Sequence, residues 1–129
     1  MASSRTSVGL GLGVGIFLLT LGTAGIHLFL GLNFGVPLFI LNGLGYLGLL
    51  AALQLPVPQL ARFRGAARWT LVGYTALTIA LWFLIATPDV IGVANKAIEV
   101  ALIALLLADA YRAHSEPSGE APSSRLPGA

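Results

Sequence analysis

Four stretches of roughly 20 apolar residues run through this chain, separated by short polar or proline-containing breaks, and about 20 is the length a helix needs to cross the hydrocarbon of a bilayer. A bilayer offers backbone N–H and C=O groups no outside partner, so a spanning segment is either a helix or a strand of a closed barrel. These stretches are too long for barrel strands and do not alternate. The expected fold is therefore all-α: an integral membrane four-helix up-down bundle, since short turns make consecutive helices antiparallel neighbours. The charge content agrees. Only 9% of the residues are charged and 57% are apolar, whereas a soluble domain carries roughly 25% charged residues to face water.

The breaks place the spans at about 7–32, 37–55, 68–86 and 90–112. Asn33 to Pro37 forms the first turn, with Pro37 in the first helical turn of the second span, where a missing N–H costs nothing. Pro56-Val57-Pro58 ends the second span and opens a polar loop with Gln59, Arg62, Arg64, Gly65 and Arg68, the last also opening the third span. Thr87-Pro88-Asp89 makes the last turn. Residues 1–6 form a short N-terminal segment. Residues 113–129, rich in Ser, Pro and Gly, are expected to be a disordered tail. The first apolar stretch, about 25 residues, exceeds the ~7–15 of a signal-peptide core and is read as a retained span.

Charge orients the bundle. Arg5, the cluster Arg62, Arg64 and Arg68, and Arg112 all fall on one side of a four-span chain, while Asp89 is the charge in the turns opposite. The positive-inside rule then predicts a multi-pass protein of the cell membrane with both termini cytoplasmic. Phe63, Trp69 and Tyr111 lie at that boundary, as interfacial aromatics do.

Glycines crowd the first span. At about 100° per residue, Gly11, Gly15, Gly22 and Gly25 share one face, and Gly9, Gly13 and Gly31 the opposite one. Small residues let helix backbones approach closely in lipid. The first set is the expected helix-packing face. One face could serve the bundle and the other a subunit interface, giving a homo-oligomer or a place in a larger membrane complex. Gly43, Gly45 and Gly48 suggest close packing of the second span against the first.

Polar residues inside a span are costly and mark a site by default. At 1.5 Å per residue, Lys96 and Glu99 of the fourth span lie about 9 and 13 Å below the outer boundary, and His27 and Asn42 about 7 Å. Tyr46 follows Asn42 by one turn. Thr75, Thr78 and Trp82 form a stripe on the third span. All four helices thus bring polar groups to a similar height in the outer half, above an inner half of Leu, Ala, Ile, Val and Gly. The expected site is an outer polar pocket built from His27, Asn42, Tyr46, Thr78, Trp82, Lys96 and Glu99, binding a small ligand, lipid headgroup or ion. Against this stands a purely structural role, in which the Lys–Glu pair and its neighbours fix helix register. Asp109 is expected to pair with Arg112 or with a loop arginine.

Other chemistry fits poorly. Bis-histidine haem needs paired axial ligands, and His27 is the one histidine in the spans. A metal held by His27, Glu99 and Asn42 lacks any spacing motif. The chain has no cysteine, so thiolate ligands, disulfides and a lipoprotein anchor are excluded. No nucleophile triad, phosphate loop or dinucleotide motif is present. No cofactor, metal or catalytic residue is assigned. A formal charge of +2 without basic–aromatic runs excludes a nucleic-acid partner. The runs Gly25-Ile26-His27-Leu28, Asn42-Gly43-Leu44-Gly45-Tyr46-Leu47 and Lys96-Ala97-Ile98-Glu99 resemble small four-span prokaryotic membrane proteins of unknown function. That resemblance implies no activity. Three functional classes stay open, in this order: a ligand-binding membrane protein, a structural accessory subunit assembling through the glycine faces, and a membrane enzyme using Lys96 or Glu99 as acid or base.

Overall fold

The computed structural model describes the backbone of residues 2–115 and the side chains of residues 7–115. Four long helices are joined by short connections: α1 (Ala2–Phe34), α2 (Pro37–Gln54), α4 (Arg64–Ile85) and α5 (Val90–Ser115), with a single-turn α3 (Pro58–Ala61) between α2 and α4. There is no strand among the described residues. All four long helices are long and apolar enough to cross a membrane. The helices run past the expected spans: α1 begins at Ala2, although its candidate membrane span starts at Ser7 as expected, α4 begins at Arg64 ahead of Arg68, and α5 continues to Ser115 beyond Arg112. Arginine is a good helix former whose stem can lie along apolar surface, so hydropathy understates helix length at this end. The loop after Pro56 contains α3, started by Pro58 at its first position. The expected tail lies outside the described residues except for 113–115, which complete the last turn of α5.

Local chemistry sets the turns. Gly35 takes φ +64°, and the Val36 N–H bonds the Gly31 carbonyl at 3.0 Å. This is a Schellman closure, in which the left-handed residue past the helix end is glycine because a Cβ is disfavoured there. Asn33 donates its side-chain amide to the Phe29 carbonyl at 2.8 Å, folding back along the last turn of its own helix. Pro37 then starts α2. At the other turn, the Asp89 carboxylate accepts the Gly92 N–H at 2.7 Å, capping α5 at its N-terminus.

Helix α1 packs against α2 and α5, and α4 packs against the same two. The core is apolar towards the end that carries the arginines: Ile16, Leu50, Leu53, Leu71, Leu102 and Leu106 are buried there. Towards the end that carries the two turns it becomes polar, with Thr20, Thr23, His27, Thr75, Asn95, Lys96 and Glu99 all buried. Outside, the pattern inverts. Only 17% to 28% of each span's most apolar window is buried within the chain. Leu10, Phe29, Leu32, Leu38, Leu41, Phe83, Leu84 and Val100 are among the many large apolar residues left on the surface. Water would penalise that surface at roughly 25 cal/mol per Å², far more than soluble proteins tolerate in one patch.

Close approach within the chain uses glycines of both faces of α1, mainly those opposite Gly11, Gly22 and Gly25. A Cβ on Gly43 would stand 2.9 Å from the Ala24 carbonyl oxygen, and one on Gly31 2.8 Å from the Ile40 nitrogen. Gly9 lies under the Arg112 guanidinium, and Gly15 against Leu105. At Gly11, Gly22 and Gly25 a Cβ would meet nothing within 4 Å. The inward face of α1 is the other one, where Gly9 and Gly31 share a side with Ile16, Thr20, Thr23 and His27. Of the expected helix-packing set Gly11, Gly15, Gly22 and Gly25, Gly15 is the one against a neighbouring helix of this chain among the described residues.

Candidate functional site

The polar end of the core is organised by Glu99, which is fully buried. Its Oε1 accepts hydrogen bonds from Thr23 Oγ1 of α1 at 3.1 Å, from Tyr46 Oη of α2 at 3.3 Å and from Asn95 Nδ2 of α5 at 3.1 Å. Its Oε2 pairs with Lys96 Nζ one turn away. The fourth helix joins through Tyr46, whose hydroxyl is 2.9 Å from Thr78 Oγ1. Thr78 in turn reaches the Thr75 carbonyl at 2.8 Å. One carboxylate therefore ties three helices together directly and α4 at one remove. A buried carboxylate is tolerated only when paired and hydrogen-bonded, and both conditions are met. With its oxygens taken by these donors, one of them a cation, Glu99 has little left to offer a metal ion.

His27 stands beside this hub. Its Nδ1 lies 2.8 Å from the Thr23 carbonyl oxygen. A carbonyl can only accept, so Nδ1 carries the proton, and Nε2 of the neutral ring is a bare acceptor. The ring packs edge-on to Phe39 at 5.9 Å and tilted against Tyr46 at 5.8 Å between centroids.

Above the hub is a cavity of about 380 Å³ between α2 and α4. His27, Asn42, Thr78, Trp82 and Lys96 supply its polar lining, and Leu38, Phe39, Leu41, Leu77, Leu81 and Ile85 are among its apolar walls. Five of the seven residues expected to form one pocket line this cavity. The other two, Tyr46 and Glu99, lie beneath it. Three of the lining groups are unspent: His27 Nε2, the Asn42 side-chain amide and Trp82 Nε1 make no hydrogen bond among the described residues. Asn42 contributes only its backbone carbonyl, which accepts from Tyr74 Oη at 3.0 Å. Leu38, Leu41, Leu77, Leu81 and Ile85 are all exposed on the outside of the helices. The cavity therefore opens sideways between α2 and α4 through an apolar rim.

No family model, curated protein or solved structure matches the chain. The site's geometry alone carries the functional reading.

Sequence reasoning missed Thr23 as a partner of Glu99 and Thr20 as a member of the same buried face. Their positions contained a signal: Thr20, Thr23 and His27 recur at helical spacing on one side of α1. Asn95, adjacent in sequence to Lys96, bonds Glu99 through its amide nitrogen. Its Oδ1 and the Thr20 Oγ1 are buried without a hydrogen-bond partner among the described residues. Asp109 meets Arg68 of α4, Nε to Oδ2 at 2.9 Å, and the pair joins two helices.

Proposed function

We propose that the chain inserts as an up-down bundle with both termini cytoplasmic, and that its outer-half cavity binds a small amphipathic molecule entering from the bilayer. The observation that carries the reading is the set of unspent polar groups, His27 Nε2, the Asn42 amide and Trp82 Nε1, around a cavity whose rim is apolar. Small-molecule sites are mostly apolar concavities with a few convergent polar groups that fix orientation. Here the charges of Lys96 and Glu99 cancel, so the preferred head is uncharged. Asn42, Trp82 and Lys96 offer N–H donors and His27 Nε2 an acceptor, so that head both accepts and donates, as a hydroxyl beside a carbonyl or ether oxygen does. Its hydrocarbon part lies along Leu38, Leu41, Leu77, Leu81 and Ile85. Glu99 and Tyr46 position the lining by holding Lys96 and Thr78.

Tryptophan fluorescence tests this reading. Trp69 and Trp82 are the chain's two tryptophans, so Trp69→Phe leaves a reporter in the cavity wall. An organic extract of the membranes in which the protein is produced should shift Trp82 emission saturably. His27→Ala and Asn42→Ala should each weaken the response about 5- to 10-fold, as expected for one neutral hydrogen bond of roughly 1 kcal/mol. An emission that ignores the extract, or identical titrations in all variants, would refute the reading.

A second reading rests on a separate observation. Gly11, Gly22 and Gly25 leave an open, smooth face on α1, the surface that close helix contact in lipid uses. If the chain is an accessory subunit, Gly22→Leu shifts it to a smaller assembly in detergent without lowering its melting temperature. An unchanged assembly size removes this reading.

A further inference from the structure

The arginine end of the bundle holds a second and larger cavity, about 620 Å³, to which all four long helices contribute. Its polar lining comes from Gln54, Arg64, Arg68 and Asp109. Gln54 is committed across the helix pair, donating Nε2 to the Gly13 carbonyl at 2.8 Å. Asp109 holds Arg68 by its Nε at 2.9 Å, and the η-nitrogens of Arg68 make no hydrogen bond among the described residues. Arg64 is exposed and reaches only the Leu55 carbonyl, at 3.5 Å, the limit of a hydrogen bond. Arg112 lies across α1 at Gly9, beside the same opening. Among the lining residues one carboxylate, Asp109, thus faces two guanidinium groups, Arg64 and Arg68, and the lining carries excess positive charge. Next to the arginines the wall is apolar. Leu10, Val14 and Phe17 line it, and all three are exposed. At positions i, i+4 and i+7 they form one strip running along α1 away from the charged end.

We infer that this groove is a binding site for one anionic phospholipid of the cytoplasmic leaflet. The phosphate is held by Arg64 and the free η-nitrogens of Arg68, and an acyl chain lies on Leu10, Val14 and Phe17. Guanidinium groups bind phosphate oxygens bidentately, and basic pockets between spanning helices at the cytoplasmic side suit acidic headgroups. The paired strip and cations explain why a lipid, rather than a free anion, is the occupant: the site has one charged end and one apolar end in line. This inference rests on the proposal that the chain spans a bilayer with this end cytoplasmic. It is independent of what the outer cavity binds.

The test is lipid retention by the full chain, first shown to stay with membranes after an alkaline wash. The protein is exchanged into detergent micelles carrying equal amounts of phosphatidylglycerol and phosphatidylcholine and weighed by native mass spectrometry. The expected result is one phosphatidylglycerol retained at least 10-fold over phosphatidylcholine. Arg64→Gln, a change at an exposed side chain that spares the Arg68–Asp109 pair, should cut that preference at least 5-fold. His27→Ala should leave it intact, and glycerol phosphate at millimolar concentration should not displace the lipid. Equal retention of the two lipids, an unchanged preference in Arg64→Gln, or displacement by glycerol phosphate would overturn the inference. Release by the alkaline wash would instead show that the membrane reading itself has failed.

Discussion

Replacing Glu99 with alanine is expected to destabilise the protein by about 3–5 kcal/mol, the cost of stranding a buried charge by removing its partner. The loss is large because four donors converge on this carboxylate. Without it, the Lys96 ammonium is buried and unpaired, and Thr23, Tyr46 and Asn95 lose the acceptor they share. The double variant Lys96→Met with Glu99→Gln should recover a large part of the loss, because no charge remains and the carbonyl oxygen of the introduced amide still accepts. Thermal unfolding in detergent, followed by helical circular dichroism, measures both. A Glu99→Ala protein that melts with the wild type would show that the hub does not hold the helices together. A double variant no more stable than Glu99→Ala would show that the stranded charge is not the source of the cost.

The second large effect is steric. Gly43→Leu should destabilise at or beyond the upper end of the ~1–3 kcal/mol typical of overpacking. A Cβ there would stand 2.7 Å from Leu28 Cγ and 2.9 Å from the Ala24 carbonyl oxygen. The Leu28 side chain can turn away; the α1 backbone cannot, so α1 and α2 must separate. That separation would also disturb the hub, since Thr23 and Tyr46 come from these two helices. Comparison with Gly22→Leu controls for the general effect of adding a leucine to a helix. Similar melting temperatures for the two variants would contradict the close α1–α2 contact.

Depth along the helices was legible in the sequence, because each residue advances a helix by about 1.5 Å. That ruler brought His27, Asn42, Thr78, Trp82 and Lys96 to one height, and they line one cavity. Rotation about the helix axes was less legible. Two glycine faces on α1 were both plausible, and nothing in their spacing shows which one turns inward. The buried companions do: Thr20, Thr23 and His27 share a side with Gly9 and Gly31, and that is the packed side. Threonines are easily overlooked in such spans because their hydroxyls can bond their own helix, as Thr75 does with the Leu71 carbonyl at 2.7 Å. Thr23 instead reaches across to Glu99, a contact no local pattern predicts. Partner choice between distant helices was illegible for the same reason. For Asp109 the spacing left Arg112 and the loop arginines open, and the structure pairs it with Arg68 of α4.

The cavity depends on the hub beneath it. Glu99 fixes Lys96, and Tyr46 fixes Thr78, so two lining groups are held from below while His27 Nε2, Asn42 and Trp82 remain available. Those free groups, on the reading proposed above, serve a bound amphiphile. Native mass spectrometry of the protein taken from its membranes in mild detergent tests this most directly. The expected result is a single small-molecule adduct on the wild-type chain, retained by Gly22→Leu and lost when His27 and Asn42 are both replaced by alanine. A wild-type chain that carries no adduct, or an adduct that survives the double replacement, would contradict it.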